Sequence, residues 1–213
     1  MKAVLLSLFV ISFSLWGVEP KVVSFDKLQK RGKVGSQLTY IPNQDTPFTG
    51  KAVSFYSNGQ KKVEATFKDG KRDGLITTWY ADGQKKWEEN KRDGLATEWY
   101  ENGQKKMEIN FKDDKPDGLT TEWYENGQKM SEENYRNGKG DGLITTWYAD
   151  GQKRYVGNYK DGKLMSAEVW KPNGEKCPVT NIDEERNGVV VEYKEYGTER
   201  ERLIFKDGEP VRD

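Results

Sequence analysis

The chain has 213 residues, of which 35 are Lys or Arg, 35 are Asp or Glu and none is histidine, so its formal net charge is zero. Neutrality removes the usual electrostatic ground for nucleic acid or an anionic membrane as partner, and with no histidine and one cysteine there is no Ser-His-Asp or Cys-His arrangement and no plausible zinc site. Only 34% of residues are hydrophobic, but the aromatics, 12% of the chain, recur at fixed intervals, and a thin sheet with local contacts folds on fewer apolar residues than a globule needs.

In chain order, Lys2 is followed by an apolar run from Ala3 to Gly17, and charge returns at Glu19. The run is shorter than the roughly 20 residues that span a bilayer and fits the apolar region of a secretory signal peptide, with cleavage after Ser14 or Gly17. Residues 1–17 are therefore expected to be a signal peptide, and the protein to be exported to the periplasm, the cell surface or the medium. Residues 18–49 form a non-repetitive lead-in, in which Tyr40-Ile41-Pro42 and Pro47-Phe48-Thr49 are expected to make a strand capping the exposed edge of the first repeat unit.

Residues 50–213 repeat. Gly74–Lys85 returns almost unchanged at Gly142–Lys153, with close relatives at Gly94–Lys105 and Gly118–Lys129. The turn glycines Gly59, Gly83, Gly103, Gly127, Gly151, Gly174 and Gly197 mark seven units at intervals of 24, 20, 24, 24, 23 and 23 residues. Each unit reads as a β-hairpin: a strand rich in β-branched and aromatic residues, an Asn-Gly or Asp-Gly turn, and a second strand. The second unit lacks about four residues after Asn90 and carries Trp87 on its second strand, so a local kink is expected there.

A three-residue loop, Glu101-Asn102-Gly103, with a glycine bulge places Leu95, Thr97 and Trp99 on one face with Met107, Ile109 and Phe111. That register segregates apolar from polar residues, and it is the one expected. One face then carries the aromatic row Phe55, Trp79, Trp99, Trp123, Trp147, Trp170 and Tyr193, and the other carries Tyr56, Tyr80, Tyr100, Tyr124 and Tyr148 among Lys, Glu and Gln. The first row is expected to build the thin core. The five tyrosines are the candidate partner-binding residues.

At this point the residues resemble the MORN-variant repeats of bacteria, whose units run Gly-x-x-x-x-Tyr/Trp-Tyr-x-Asn-Gly and end in Tyr/Phe-Lys-Asp-Gly-Lys-x-x-Gly. Gly94–Gly118 matches closely, and the match decays towards Gly50 and Gly208. The resemblance implies an all-β fold, an elongated single-layer antiparallel sheet of about seven tandem hairpins. It also implies a role as the antitoxin of a toxin–antitoxin pair, a reading that requires access to a cytoplasmic toxin. Membrane phospholipid, a ligand of eukaryotic relatives, fits poorly with a neutral chain.

Carboxylate pairs such as Glu88-Glu89 are neighbours on a strand, point to opposite faces and make no acid/base pair. The Asp-Gly turns lack the spaced oxygen ligands of a calcium loop, and no cofactor is implied. Cys177 is expected to be a small, partly buried side chain in a turn. These features together point to an exported, non-enzymatic scaffold that binds another protein, with a cell-envelope glycan as the second candidate partner.

Overall fold

The computed structural model describes residues 21–90 and 93–211; the expected signal peptide lies outside the described residues. The lead-in contains β1 (Val22–Ser24), a 3-10 turn (Phe25–Lys27), β2 (Gln29–Arg31) and β3 (Leu38–Tyr40). Five hairpins follow: β4 (Gly50–Phe55) with β5 (Lys61–Lys68), β6 (Lys71–Trp79) with β7 (Lys85–Asn90), β8 (Gly94–Trp99) with β9 (Lys105–Lys112), β10 (Lys115–Trp123) with β11 (Lys129–Arg136), and β12 (Lys139–Trp147) with β13 (Lys153–Lys160). The chain continues through β14 (Lys163–Val169), β15 (Asn181–Ile182), β16 (Gly188–Tyr193), β17 (Glu199–Lys206) and β18 (Glu209–Pro210).

The hairpins pair in sequence order into one twelve-stranded sheet running from β1 through β4 to β14, antiparallel except where β1 joins β4. It is an open, all-β sheet of consecutive hairpins, as expected. Two kinds of turn generate it. At the first, the Gly103 amide donates to Tyr100 O (3.0 Å) and the Tyr100 amide to Gln104 O (2.9 Å), leaving Glu101-Asn102-Gly103 as the loop. Gly103 sits at φ 82°, which glycine adopts without Cβ strain. The second kind is a two-residue turn with positive φ at both positions, as at Asp69 (48°) and Gly70 (76°), the mirror-image geometry whose twist suits a hairpin.

The register corrects one expectation. Trp99 lies opposite Lys105, but Glu98 lies opposite Met107, so Lys106 is an extra residue and forms a second bulge immediately after the turn. Beyond it, Ala96 faces Ile109 while Thr97 and Leu95 face Glu108 and Asn110. Met107, Ile109 and Phe111 therefore share a face with Ala96, Glu98 and Tyr100, not with Leu95, Thr97 and Trp99. The same shift occurs in the other four hairpins of the long sheet. Segregating apolar from polar residues presumes one face buried along the whole sheet, and here the cover lies only over the C-terminal end. What the second bulge achieves is to put Lys106 on the same face as Met107 while Lys105 stays on that of Trp99, and each lysine lies over an aromatic ring: Lys105 5.8 Å from the Trp123 centroid and Lys106 5.9 Å from that of Tyr100.

Both ends also depart from expectation. The edge of β4 is covered by β1 (Val22 opposite Lys51, Ser24 opposite Val53), not by Tyr40–Pro42 or Pro47–Thr49. Tyr40 pairs with Gln29 in a small two-stranded sheet, and buried Phe48 packs against Phe67 at 5.7 Å. At the other end, β14 is the last strand of the long sheet. Trp170 still bridges to Lys176, but Pro178, which has no amide to give a ladder, follows. The hairpin around Gly197 forms, as β16 and β17, within a separate four-stranded sheet of β15 to β18. That sheet supplies Val190, Val191, Tyr193 and Phe205 to a core shared with Leu164 and Val169, against which Tyr155, Tyr159 and Ala167 also pack. Cys177 is buried in it, its sulfur 3.2 Å from the Tyr193 hydroxyl.

Candidate functional site: two faces of one sheet

The tyrosine face carries Tyr56, Tyr80, Tyr100, Tyr124 and Tyr148 in one row, and the structure gives each of them a bond across the repeat boundary. Their hydroxyls donate to the carbonyls of Trp79 (2.7 Å), Trp99 (2.7 Å), Trp123 (2.7 Å), Trp147 (2.8 Å) and Trp170 (2.8 Å), each in the next unit. Their rings are capped by cations: Lys62 on Tyr56 at 5.5 Å, Lys86 on Tyr80 at 5.4 Å, Lys106 on Tyr100 at 5.9 Å and Arg154 on Tyr148 at 5.7 Å. Burial pushes the phenols of Tyr80, Tyr100 and Tyr124 upward, and that of Tyr148, 1% exposed, up to about 12 despite Arg154. The row therefore ties successive units together; Tyr56, Tyr80, Tyr100 and Tyr124 are half-buried and still present a surface, whereas Tyr148 is buried and, contrary to expectation, cannot be a partner contact. The turns add a parallel row of ties: Asn58, Asn102 and Asn126 donate through Nδ2 to the carbonyls of Ala81, Glu125 and Ala149 at 2.7–2.9 Å. Asp82 and Asp150 cannot donate, and there Gln84 and Gln152 donate to the carboxylate instead.

The tryptophan face repeats a different group. Lys61, Lys85, Lys105, Lys129 and Lys153 lie 5.4 to 6.0 Å over Trp79, Trp99, Trp123, Trp147 and Trp170. The first four of these lysines also pair with a glutamate three residues on: Glu64, Glu88, Glu108 and Glu132. Exposed pairs of this kind contribute little each, ~0–1 kcal/mol, but hold the rings in place. Phe55, at the start of the row, is 54% exposed. Tyr193 does not belong to the row, because its strand lies in the separate C-terminal sheet, where it is buried. A second row on this face was not singled out from sequence: Leu75, Leu95, Leu119 and Leu143 are 44–54% exposed. Its signal was the leucine that follows Asp-Gly in each of these units.

Where the C-terminal sheet folds over the tyrosine face it leaves a half-open cleft of about 320 Å³, lined among others by Thr146, Arg154, Tyr155, Tyr159 and Glu192. Arg154 reaches Glu192 at 3.5 Å, and the hydroxyls of Tyr155 and Tyr159 meet at 2.9 Å. Among the described residues, no group of three or more Cys, Asp or Glu is placed to hold a metal ion.

The MORN repeat variant matches the chain at residues 48–69, 92–113, 116–137 and 140–161. These segments contain the hairpins β4–β5, β8–β9, β10–β11 and β12–β13, while β6–β7, whose unit is shorter, falls between matches. No curated protein matches the chain. Four matches, each on one hairpin of the sheet, place this chain in the MORN repeat-variant family.

Proposed function

We propose that the protein is an exported, non-catalytic scaffold that binds another protein on its tyrosine face. One observation carries this reading. The face that buries a β-sheet at its C-terminal end, through Tyr155, Tyr159, Ala167 and Val169, continues over β5 to β11 with side chains such as Ile76, Trp87, Met107 and Ile109 only half-buried. A surface built to pack protein and left open across several repeats suits a partner of similar chemistry. Export is supported by the apolar run Ala3–Gly17 behind Lys2, and the absence of histidine supports a non-catalytic role.

The test is a photo-cross-linking residue placed at Ile109 on the tyrosine face or at Leu95 on the opposite face, in cells making the full chain. Discrete protein adducts at position 109 and none at 95 are expected. Adducts confined to position 95, or none at either, would refute the reading. Intact mass of the protein from fractionated cells tests export; a full-length chain in the cytoplasm would overturn it and favour the antitoxin reading.

A further inference from the structure

The tyrosine face carries carboxylates, and most of them are matched. Glu89 meets Arg72 at 3.2 Å, and Glu98 meets Lys106 at 2.9 Å. One unit further along, Glu122 takes the place of Glu98, but Met130 stands where Lys106 would be. No hydrogen bond or ion pair reaches Glu122 among the described residues. Diagonally across the ladder sits Glu133, whose one bond is from the Tyr135 hydroxyl. The register completes a square: Glu122 lies opposite Ser131 and Thr120 opposite Glu133, all on the same face. Ser131 and Thr120 are each 5% exposed, and neither hydroxyl oxygen has a hydrogen-bond partner. Two buried hydroxyls without partners are a cost that native structures rarely leave standing. Burial raises the Glu122 carboxyl, and Glu133 raises it further, against the weaker opposite pull of Lys106. The square is flanked by Met107 and Ile109 on β9 and by Ile144 and Thr146 on β12.

From this geometry we infer that the square of Thr120, Glu122, Ser131 and Glu133 is a docking site for an arginine side chain of the partner protein. The inference rests on the tyrosine face being the binding face. A guanidinium is planar, carries five donors and pairs with carboxylates in a fork, so it can serve the two carboxylates together above the buried hydroxyls. Met107, Ile109 and Ile144 give its methylene stem apolar walls. A divalent metal ion is a poorer fit, since two carboxylates fall short of the oxygen shell a calcium ion takes.

The experiment uses the full chain with labelled Met and Ile methyls and the blocked peptide acetyl-Thr-Val-Arg-Val-Thr-amide. Its citrulline and lysine counterparts and calcium chloride serve as competing probes. Saturable shifts at Met107, Met130, Ile109 and Ile144 are expected with the arginine peptide. The citrulline peptide, neutral but of the same shape, should bind at least about tenfold more weakly, as loss of charge-assisted bonds implies. The double variant Glu122→Gln, Glu133→Gln should lose the response while keeping its fold, read from an unchanged Ile76 signal. Equal binding of the citrulline or lysine peptide, undiminished binding by the double variant, or a response to calcium alone would overturn the assignment. The peptide reads the square directly, whereas the cross-linking reads the whole face in cells, so either can fail without the other.

Discussion

If the tyrosine row ties the units together, removing a single hydroxyl must be felt beyond its own hairpin. In Tyr100→Phe the ring and its Lys106 cap remain, and only the 2.7 Å bond to the Trp123 carbonyl is lost. A neutral hydrogen bond contributes ~0.5–1.5 kcal/mol net, and the half-buried site lets water replace part of it, so a loss of about 1 kcal/mol is expected. For a chain of this size that corresponds to a melting-temperature drop of ~2–4 °C. Tyr196, 73% exposed, supplies the control, since Tyr196→Phe should stay within ~0.5 kcal/mol. Urea denaturation gives the magnitude, and amide exchange gives the location: β10 and β11 should lose protection together with β8 and β9, because the bond crosses that boundary. Tyr148→Phe should cost more than Tyr100→Phe, because Tyr148 is 1% exposed. If Tyr100→Phe matched the Tyr196 control, or loosened only its own hairpin, the row would not be the tie proposed.

Asp114 occupies the second position of a mirror-image turn at φ 61°, where the equivalent turns carry glycine; Asp114→Gly should stabilise the protein by up to about 1 kcal/mol in urea denaturation. A Cβ on Gly157 would fall 2.0 Å from the Tyr155 hydroxyl; Gly157→Ala should therefore cost ~1–3 kcal/mol, and a neutral result would show that Tyr155 does not lie over this strand. The Glu122 carboxyl is raised from its ordinary value of 4.5 by burial and by Glu133. A raised carboxyl binds protons more tightly in the folded state, so its contribution is fully present below the ordinary value and is lost as pH climbs through the raised one. Glu122→Gln should remove that loss, flattening the dependence of melting temperature on pH above about 4.5 and raising it near neutrality; an unchanged profile would contradict the unmatched carboxylate.

The features legible in sequence were the local ones. The turn residues, Asn102-Gly103 and its counterparts, dictate their own backbone geometry, so the repeats, the strand order and the three-residue loop could all be read from them. The second bulge could not: it recurs in the hairpin where Met130 replaces the lysine, so no one side chain announces it, and the pairing that defines it, Glu98 opposite Met107, exists only once the strands meet. Missing it exchanged the companions of the two aromatic rows. β1 was also hidden, being three residues paired in parallel with β4. The hairpin around Gly197 looks like any other unit, and what removes it from the long sheet is the chain's departure after Lys176 into a shared core. Unmatched Glu122 was visible in principle as a methionine where the other units carry lysine or arginine, but its meaning depends on knowing the face.

The tyrosine face, the square of polar side chains and the proposed docking surface all depend on the register set by Lys106. Methyl-to-methyl nuclear Overhauser contacts between Ala96, Leu95, Met107 and Ile109 test it most directly. A contact between Ala96 and Ile109, which lie opposite one another, is expected, and none from Leu95 to Ile109 or Met107. Contacts from Leu95 to Ile109 would place the bulge elsewhere and exchange the two faces, removing the basis of the proposed site.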